Sequence, residues 1–425
     1  MMKETKLQFI RKVAGILILC LLVSVIPTTV FAQSKSKETY DLTIRTEKEF
    51  INFMKSIDKG TTYSGKVIKL EKDIKINATN VNDFNLVYEV NKFSGVFDGG
   101  CHTISGIHSW GLLSGFGDGS HGSLFGTITS TGVVKNLYID GFSFNNTDRR
   151  ASVIAVSNGG LIDNCRIKNC KINAITDAAG IAYKNNGEIR NCTVEGSIIA
   201  CSGVYSSGIT VWNYGSVNNC AFTGTVDRSI STQGPYLAGL SSVNNGTIQN
   251  SYCVLQNDAT TSGEKLYGIC GQNNKILLNC YSSDEGVEYA YAVDNGTVDN
   301  VNMYSSSDMK KSSFVKTMNS NLSGNYLKWC TSADSDYPSL IDLNEVTFKS
   351  IDSKKGYIKS NKSYAYKGQK VTLTPVITKN YKLSSITVKT SSGKKVKVTK
   401  NSKGSYTFTM PDDKVVVTSK IAKKK

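Results

Sequence analysis

The sequence predicts an all-β chain: a right-handed parallel β-helix (solenoid) with short helical caps, followed by a small C-terminal all-β module. Three observations carry this. A frame of Gly, any, aliphatic, any, Asn recurs along the middle of the chain. The residues flanking it alternate with period two. Near residue 350 the composition changes abruptly and lysine takes over.

The frame reads Gly132-x-Val134-x-Asn136, Gly160-x-Ile162-x-Asn164, Gly187-x-Ile189-x-Asn191, Gly215-x-Val217-x-Asn219, Gly246-x-Ile248-x-Asn250 and Gly296-x-Val298-x-Asn300. One copy, Lys275-x-Leu277-x-Asn279, lacks the glycine, and the Asn spacings are 28, 27, 28, 31, 29 and 21. After each Asn come Leu137, Cys165, Cys192, Cys220, Ser251, Cys280 and Val301, and two further on Ile139, Ile167, Val194, Phe222, Cys253, Ser282 and Met303. Mostly polar residues such as Arg166 and Thr193 lie between, the mark of a strand with one buried face. Leu124, Ile154, Ile181, Ile209, Leu240 and Ile269 indicate another strand before each glycine. Such a repeat has no room for a helix and cannot bury its apolar face alone, so copies must stack. The glycine is expected to supply positive φ at one corner. The Asn is expected to take the left-handed conformation at the other and bond to the next coil. Asn136, Asn164, Asn191, Asn219, Asn250, Asn279 and Asn300 thus form an expected structural ladder; ligand binding by these side chains is the competing reading.

From the N-terminus, residues 1–32 read as a secretory signal peptide. Lys3, Lys6, Arg11 and Lys12 precede an apolar stretch from Val13 to Val25, and Val30-Phe31-Ala32 offers a small-residue cleavage site. An uncleaved anchor is the alternative. No later stretch reads as a transmembrane segment, so the expected location is extracellular or associated with the cell surface. Residues 33–119 are read as an N-terminal cap and first coils. Thr46-x-x-Glu49 is a capping box that opens a helix bearing Phe50, Phe53, Met54 and Ile57 on one face. Residues 120–304 hold the repeats. Residues 305–349 are expected to close the far end, with a helix from Asp308 to Asn319 burying Phe314, Val315 and Met318, then a cluster of Trp329, Tyr337 and Leu340.

The chain has 425 residues and a formal net charge of +16. Residues 351–425 contain 19 Lys, no Arg and three acids, whereas residues 33–350 are near neutral. Residues 350–425 are read as one basic module of four or five strands. The many Lys and absent Arg favour diffuse attraction over bidentate recognition. The expected partner is an anionic cell-envelope polymer of the teichoic acid type rather than nucleic acid, contacted by Lys394, Lys395, Lys397, Lys423, Lys424 and Lys425. A merely solvated spacer is the alternative.

Two resemblances attach to these residues. FSGVFDGGCHTISGI (Phe93 to Ile107), GSLFGTITSTGVVKNLYIDG (Gly122 to Gly141) and the NNGxIxNC-type coils resemble GLUG-motif proteins over about residues 42–345. The tetrapeptide itself has drifted to SGIT (Ser207), AGLS (Ala238) and YGIC (Tyr267). The resemblance implies a secreted or surface protein of bacteria, a group in which some members carry IgA-cleaving metallopeptidases. KGQKVTLTP (Lys367 to Pro375), NYKLSSITV (Asn380 to Val388) and SYTFTMPDDKVVVT (Ser405 to Thr418) resemble divergent InlB B-repeat modules of surface proteins.

Chemistry is sparse. With 3 His, none beside a Glu in metallopeptidase spacing, the peptidase motif is absent, and neither a catalytic residue, a metal site nor a cofactor is predicted. Arg166-Ile167-Lys168 resembles the RIK of polygalacturonases, but their NTD, DD and GHG motifs are missing, so an outward-inward-outward strand is the simpler reading. Asp163, Glu188 and Glu195 share a repeat region without forming a calcium-type cluster by spacing. The cysteines are read as buried thiols, with Cys165–Cys170 and Cys192–Cys201 as local pairs to test. The glycine-rich loop Gly111 to Gly122 is either an anion cradle or a plain excursion. Tyr205, Trp212, Tyr214 and Tyr236 fall on successive coils and could stack on sugar rings, although tyrosine is common on β-surfaces. The sequence therefore favours a non-enzymatic, adhesin-like binding platform for glycans or for host or envelope polymers. A carbohydrate-active lyase or hydrolase is the alternative.

Overall fold

The computed structural model describes residues 40–425 except 78–88, 110–120, 146–149, 229–235, 257–265, 286, 288, 323–325, 332–334, 350–353, 403, 412 and 425. The expected signal peptide at residues 1–32 and most of the Gly111 to Gly122 loop therefore lie outside the described residues.

The body is a parallel β-helix. Its strands form an 18-stranded and a 13-stranded sheet that wrap one core. Equivalent residues pair in register from coil to coil: Ile68 with Phe97, Phe97 with Val134, then Ile162, Ile189, Val217, Ile248, Leu277 and Val298. From Ile68 to Leu277 this row is fully buried. Leu124, Ile154, Ile181, Ile209 and Leu240 are also buried, but they sit at the bend between two short strands rather than within one. All seven frame asparagines adopt positive φ, between 46° and 54°.

The frame glycines do not. None of Gly132, Gly160, Gly187, Gly215, Gly246 and Gly296 lies in the left-handed region. Glycine is needed there because the coils touch. A Cβ on Gly187 would lie 2.1 Å from the carbonyl oxygen of Gly160, and one on Gly215 2.0 Å from that of Gly187. The expectation of a positive-φ corner is thus replaced by close backbone approach.

The helix Glu47–Asp58 opens on the capping box and buries Phe50, Phe53, Met54 and Ile57. Phe53 stacks on Phe97 at 5.4 Å and meets Phe93 and Phe125 edge-on, so the helix plugs the N-terminal opening.

Residues 305–343 depart from the expected end cap. In place of one helix there are two, Ser306–Met309 and Ser312–Ser320. They pack on the flank, where Phe314 meets the rings of Tyr252 and Tyr281, both at 5.6 Å. The chain then runs back toward the first coils as a strap. The Leu327 amide donates to Asn191 (3.0 Å), the Trp329 indole to Asn219 (2.6 Å), and Arg166 to the carbonyl of Leu340 (2.9 Å). The outward column Ala221, Tyr252 and Tyr281 is apolar and offers the strap a seat. The closing cluster forms there: Trp329 and Leu340 are buried, while Tyr337 and Val315 are partly so.

The strap delivers the basic module to the N-terminal coils. The module begins at Asn344–Phe348, before the expected boundary at 350, and its described residues form nine strands rather than four or five. They form a five-stranded and a four-stranded sheet around Val346, Val371, Leu373, Val388, Phe408 and Val417. No helix among the described residues is long and apolar enough to cross a membrane.

Candidate functional site

The outer face of the 13-stranded sheet carries a strip of aromatic and charged side chains. Parallel register places Arg150, Asp177, Tyr205 and Tyr236 in one row on consecutive coils. Beyond the bend, Lys184 and Trp212 are likewise paired. Val156, Ala179, Val211 and Tyr183 make an apolar patch between these rows, against which Tyr205 and Trp212 pack.

Within the strip, Trp212 meets Tyr205 edge-on at 5.3 Å and lies nearly parallel to Tyr214, 13° apart at 6.4 Å. Tyr236 sits one coil beyond Tyr205 and is paired instead with Tyr267 at 6.0 Å. Three of the four aromatics, expected on successive coils, instead share one coil and form one continuous surface, and the fourth, on the next coil, extends its edge. Tyr214 is 47% exposed.

Charges border the aromatic surface. Arg150 donates to Asp177 (3.3 Å) and stacks over the Tyr183 ring at 4.7 Å. Burial raises the Asp177 carboxyl above its ordinary value, and Arg150 offsets only part of this. Burial, then the charge on Asp177, pushes the Tyr183 hydroxyl up to about 12, against a hydrogen bond from Trp212. Lys184 Nζ lies 5.2 Å from the centre of the Tyr214 ring. The sequence reading missed Arg150, Asp177, Tyr183 and Lys184. Their shared repeat positions with Tyr205 and Trp212 were the available signal. Chemically, flat rings flanked by an Arg, a Lys and a carboxylate suit stacking on sugar rings with hydrogen bonds to their hydroxyls.

The 18-stranded sheet has a different outer face. Lys69, Asp98, Lys135, Asp163 and Arg190 follow one another in register, so the charge alternates from coil to coil. Asp163 and Glu188 both engage Arg190, at 2.9 and 3.5 Å, and Glu195 engages Lys168 at 3.2 Å. These carboxylates are held by bases rather than gathered for a cation. Among the described residues no group of three His, Cys, Asp or Glu could hold a metal. Ile167 points inward while Arg166 reaches Asp342 of the strap at 2.5 Å, so the RIK tripeptide serves attachment. His102 contacts Asp73 (3.0 Å) and Lys414 (3.3 Å), and His108 is exposed.

The asparagine ladder runs Asn164 to Asn136 (2.8 Å), Asn219 to Asn191 (2.9 Å), Asn250 to Asn219 (2.9 Å) and Asn300 to Asn279 (2.7 Å). It skips two rungs: Asn191 donates instead to Asp163 at 2.8 Å, and Asn250 Oδ1, buried without a partner, receives nothing from Asn279. A second, fully buried ladder joins Asn158, Asn185, Asn213, Asn244 and Asn273, with links of 2.8 to 2.9 Å. The ten described cysteines are free. Burial pushes Cys165 and Cys220 well above the ordinary thiol value and Cys280 up to about 12, so these thiols are poor nucleophiles.

The lysines singled out in the module are exposed but form two groups. Lys394, Lys395 and Lys397 follow the hairpin at one end of strand Tyr381–Thr390, where Lys389 pairs with Lys395. Lys423 pairs with Tyr381 at the other end, and Lys424 follows it. Eight residues of strand separate the two pairs, about 27 Å. Lys425 lies outside the described residues.

No family model and no curated protein matches the chain. Among solved structures, one described as a "putative immunoglobulin A1 protease" from Bacteroides ovatus is similar, with a TM-score of 0.46 and 16% identity over 70% of this chain and 91% of that one. That likeness is too distant to bear on function.

Proposed function

We propose that this chain is a secreted or surface-associated bacterial protein that acts as a non-enzymatic binding platform, with a glycan as the ligand of its aromatic strip. The observation that carries this reading is the continuous surface made by Tyr205, Trp212 and Tyr214 on the solenoid flank, bordered by Arg150 and Lys184. Tyr205, Trp212 and Tyr214 lie on one coil and Tyr236 on the next, so the strip offers several rings to neighbouring sugar units of a polymer laid across the sheet face. The basic module would add attraction to an anionic envelope polymer, with the leader delivering the chain outside the cell.

A second reading rests on Asp177. Its raised carboxyl, in the same strip as Arg150, Tyr183 and Tyr205, has the character of a general acid, as a carbohydrate-active enzyme would need. A glycan array on the intact protein, run beside a reducing-sugar release assay, separates the two. The platform reading expects binding without release, and binding lost by roughly tenfold in Trp212→Ala. Release abolished in Asp177→Asn would replace it with the enzymatic one. Absence of binding to any glycan would end both.

A further inference from the structure

Among the described residues, no further strand covers the far end of the solenoid. The last coil strand, Thr297–Tyr304, bonds to Ile276–Ser283 on one side, and among the described residues no strand pairs with its other edge. Its inward residues Val298 and Val301 are only partly buried, whereas their partners Leu277 and Cys280 are fully so. An open strand edge of this kind is a template for another chain.

Charge identifies the partner. Between Lys275 and Lys310 there are six acids and no base. Asp284, Glu285 and Asp299 are exposed on that coil. The module at 344–425 has 20 Lys against four acids. The strap attaches the module near Lys69 and Asp98, eight coil steps from Val298, or about 38 Å along the axis. Within one molecule the joint that holds the basic module and the acidic end are therefore far apart along the axis. Two copies can bring them together.

We propose that the uncovered coil receives the basic module of a second copy, so that molecules join head to tail. The contact is heterologous, so it joins more than two copies, in a string or a ring according to the rotation between successive molecules. The module's far end, with Lys420, Lys423 and Lys424 exposed and away from the attachment, is the part free to reach the next molecule. This inference does not depend on the glycan reading. It predicts that a soluble polyanion competes with self-association, since both seek the same lysines.

Sedimentation velocity on the mature full-length chain tests it, at about 20 mM and about 500 mM salt, where screening differs several-fold. Expected are species that grow with concentration beyond two copies at low salt and dissolve at high salt. Two surface variants sharpen the test: D284K/E285K/D299K, and K420E/K423E/K424E, each checked for an unchanged far-UV spectrum. Each alone should be monomeric. Mixed in equal amounts they should associate again, because both faces have exchanged sign. A monomer at every salt and concentration overturns the proposal. So does association that stops at two copies, or that persists in either single variant.

Discussion

The Tyr364 hydroxyl faces both carboxylate oxygens of Asp98, at 3.0 and 2.9 Å, across 266 residues of sequence. The same hydroxyl accepts from Lys69 Nζ at 2.6 Å, and Lys69 in turn reaches Glu345 at 2.8 Å. Lys69 and Asp98 are 2% and 4% exposed, so this network is the buried joint between solenoid and module. Tyr364→Phe leaves a buried carboxylate and a buried ammonium each short of a partner. The expected cost is about 1–3 kcal/mol, localised to module attachment. Hydrogen exchange should show faster exchange in Asn344–Phe348 and little change at Ile189; uniform protection in both would remove the joint from the account.

The joint should weaken on acidification in two steps. Burial and Lys414 hold His102 below its ordinary value against the pull of Asp73. A His whose folded pKa is lowered loses stability as pH falls below about 6.5, its free value. Burial opposes ionisation of Asp98, but Lys135 and Lys69 outweigh it and hold the carboxyl low. Its contribution is complete above about 3.9 and disappears as pH falls through the lower folded value. Attachment measured by limited proteolysis near residue 343 should be flat above pH 7, decline once below 6.5 and again below 4. His102→Gln should remove the first decline alone.

Gly215→Ala should be severe although Ala is ordinarily the better residue. Its Cβ would lie 2.0 Å from the Gly187 carbonyl oxygen, and backbone cannot yield there without separating two coils. A loss of about 3 kcal/mol or more is expected. Gly196→Ala, at φ 57° but with its nearest contact the Asn169 side chain at 3.1 Å, should cost only about 1 kcal/mol. Urea unfolding of the two variants checks the order, and the reverse order would refute close approach as the reason for the frame glycine.

The repeat, its inward columns and the left-handed asparagines were legible because period and side-chain type are written directly in the sequence. The role of the frame glycine was not, since positive φ and close approach both select Gly. Asn158, Asn185, Asn213, Asn244 and Asn273 stood before each bend in the sequence, yet their ladder appears only once coils are stacked. The strap was illegible for a different reason. Trp329 and Leu340 announce burial, but their seat on Asn219, Tyr252 and Arg166 is a long-range pairing with no local signature. In the aromatic strip, Tyr205 and Trp212 declared themselves by type, while Arg150 and Asp177 gained meaning only from register.

Strand-face assignment can be tested at adjacent positions. Ile189 is fully buried, and Ile189→Asp places an unpaired charge in the core at a cost of several kcal/mol, roughly 3–5. Arg190 points outward, and from sequence alone its replacement would be mild. Its bonds to Asp163 and Glu188 change that. Arg190→Asp would set three carboxylates together, at about 1–2 kcal/mol, whereas Arg190→Gln should cost less than half as much. Thermal melts should rank the variants Ile189→Asp, Arg190→Asp, Arg190→Gln; equal shifts for the first two would contradict the faces.

The proposed attachment to an anionic envelope calls for substitution rather than truncation. Deleting residues 344–425 would strip Glu345 and Tyr364 from Lys69 and Asp98 and leave two buried charges exposed to rearrangement. Lys420, Lys423 and Lys424 can be changed without touching that joint, because they lie on the far part of the strand that pairs with Tyr381–Thr390. Changing all three to Gln removes three point charges from a module that retains its fold. Attraction of this diffuse kind sums many weak contacts and is screened over about 8 Å at physiological salt. The intact protein should therefore stay with the wall fraction at low salt and leave it at high salt. The triple Gln variant should leave at a lower salt concentration, in proportion to the charge removed. A second triple variant at Lys394, Lys395 and Lys397 tells whether the near group shares the contact. If salt releases neither the intact protein nor either variant, charge is not what holds it, and the lysines serve only as a solvated surface.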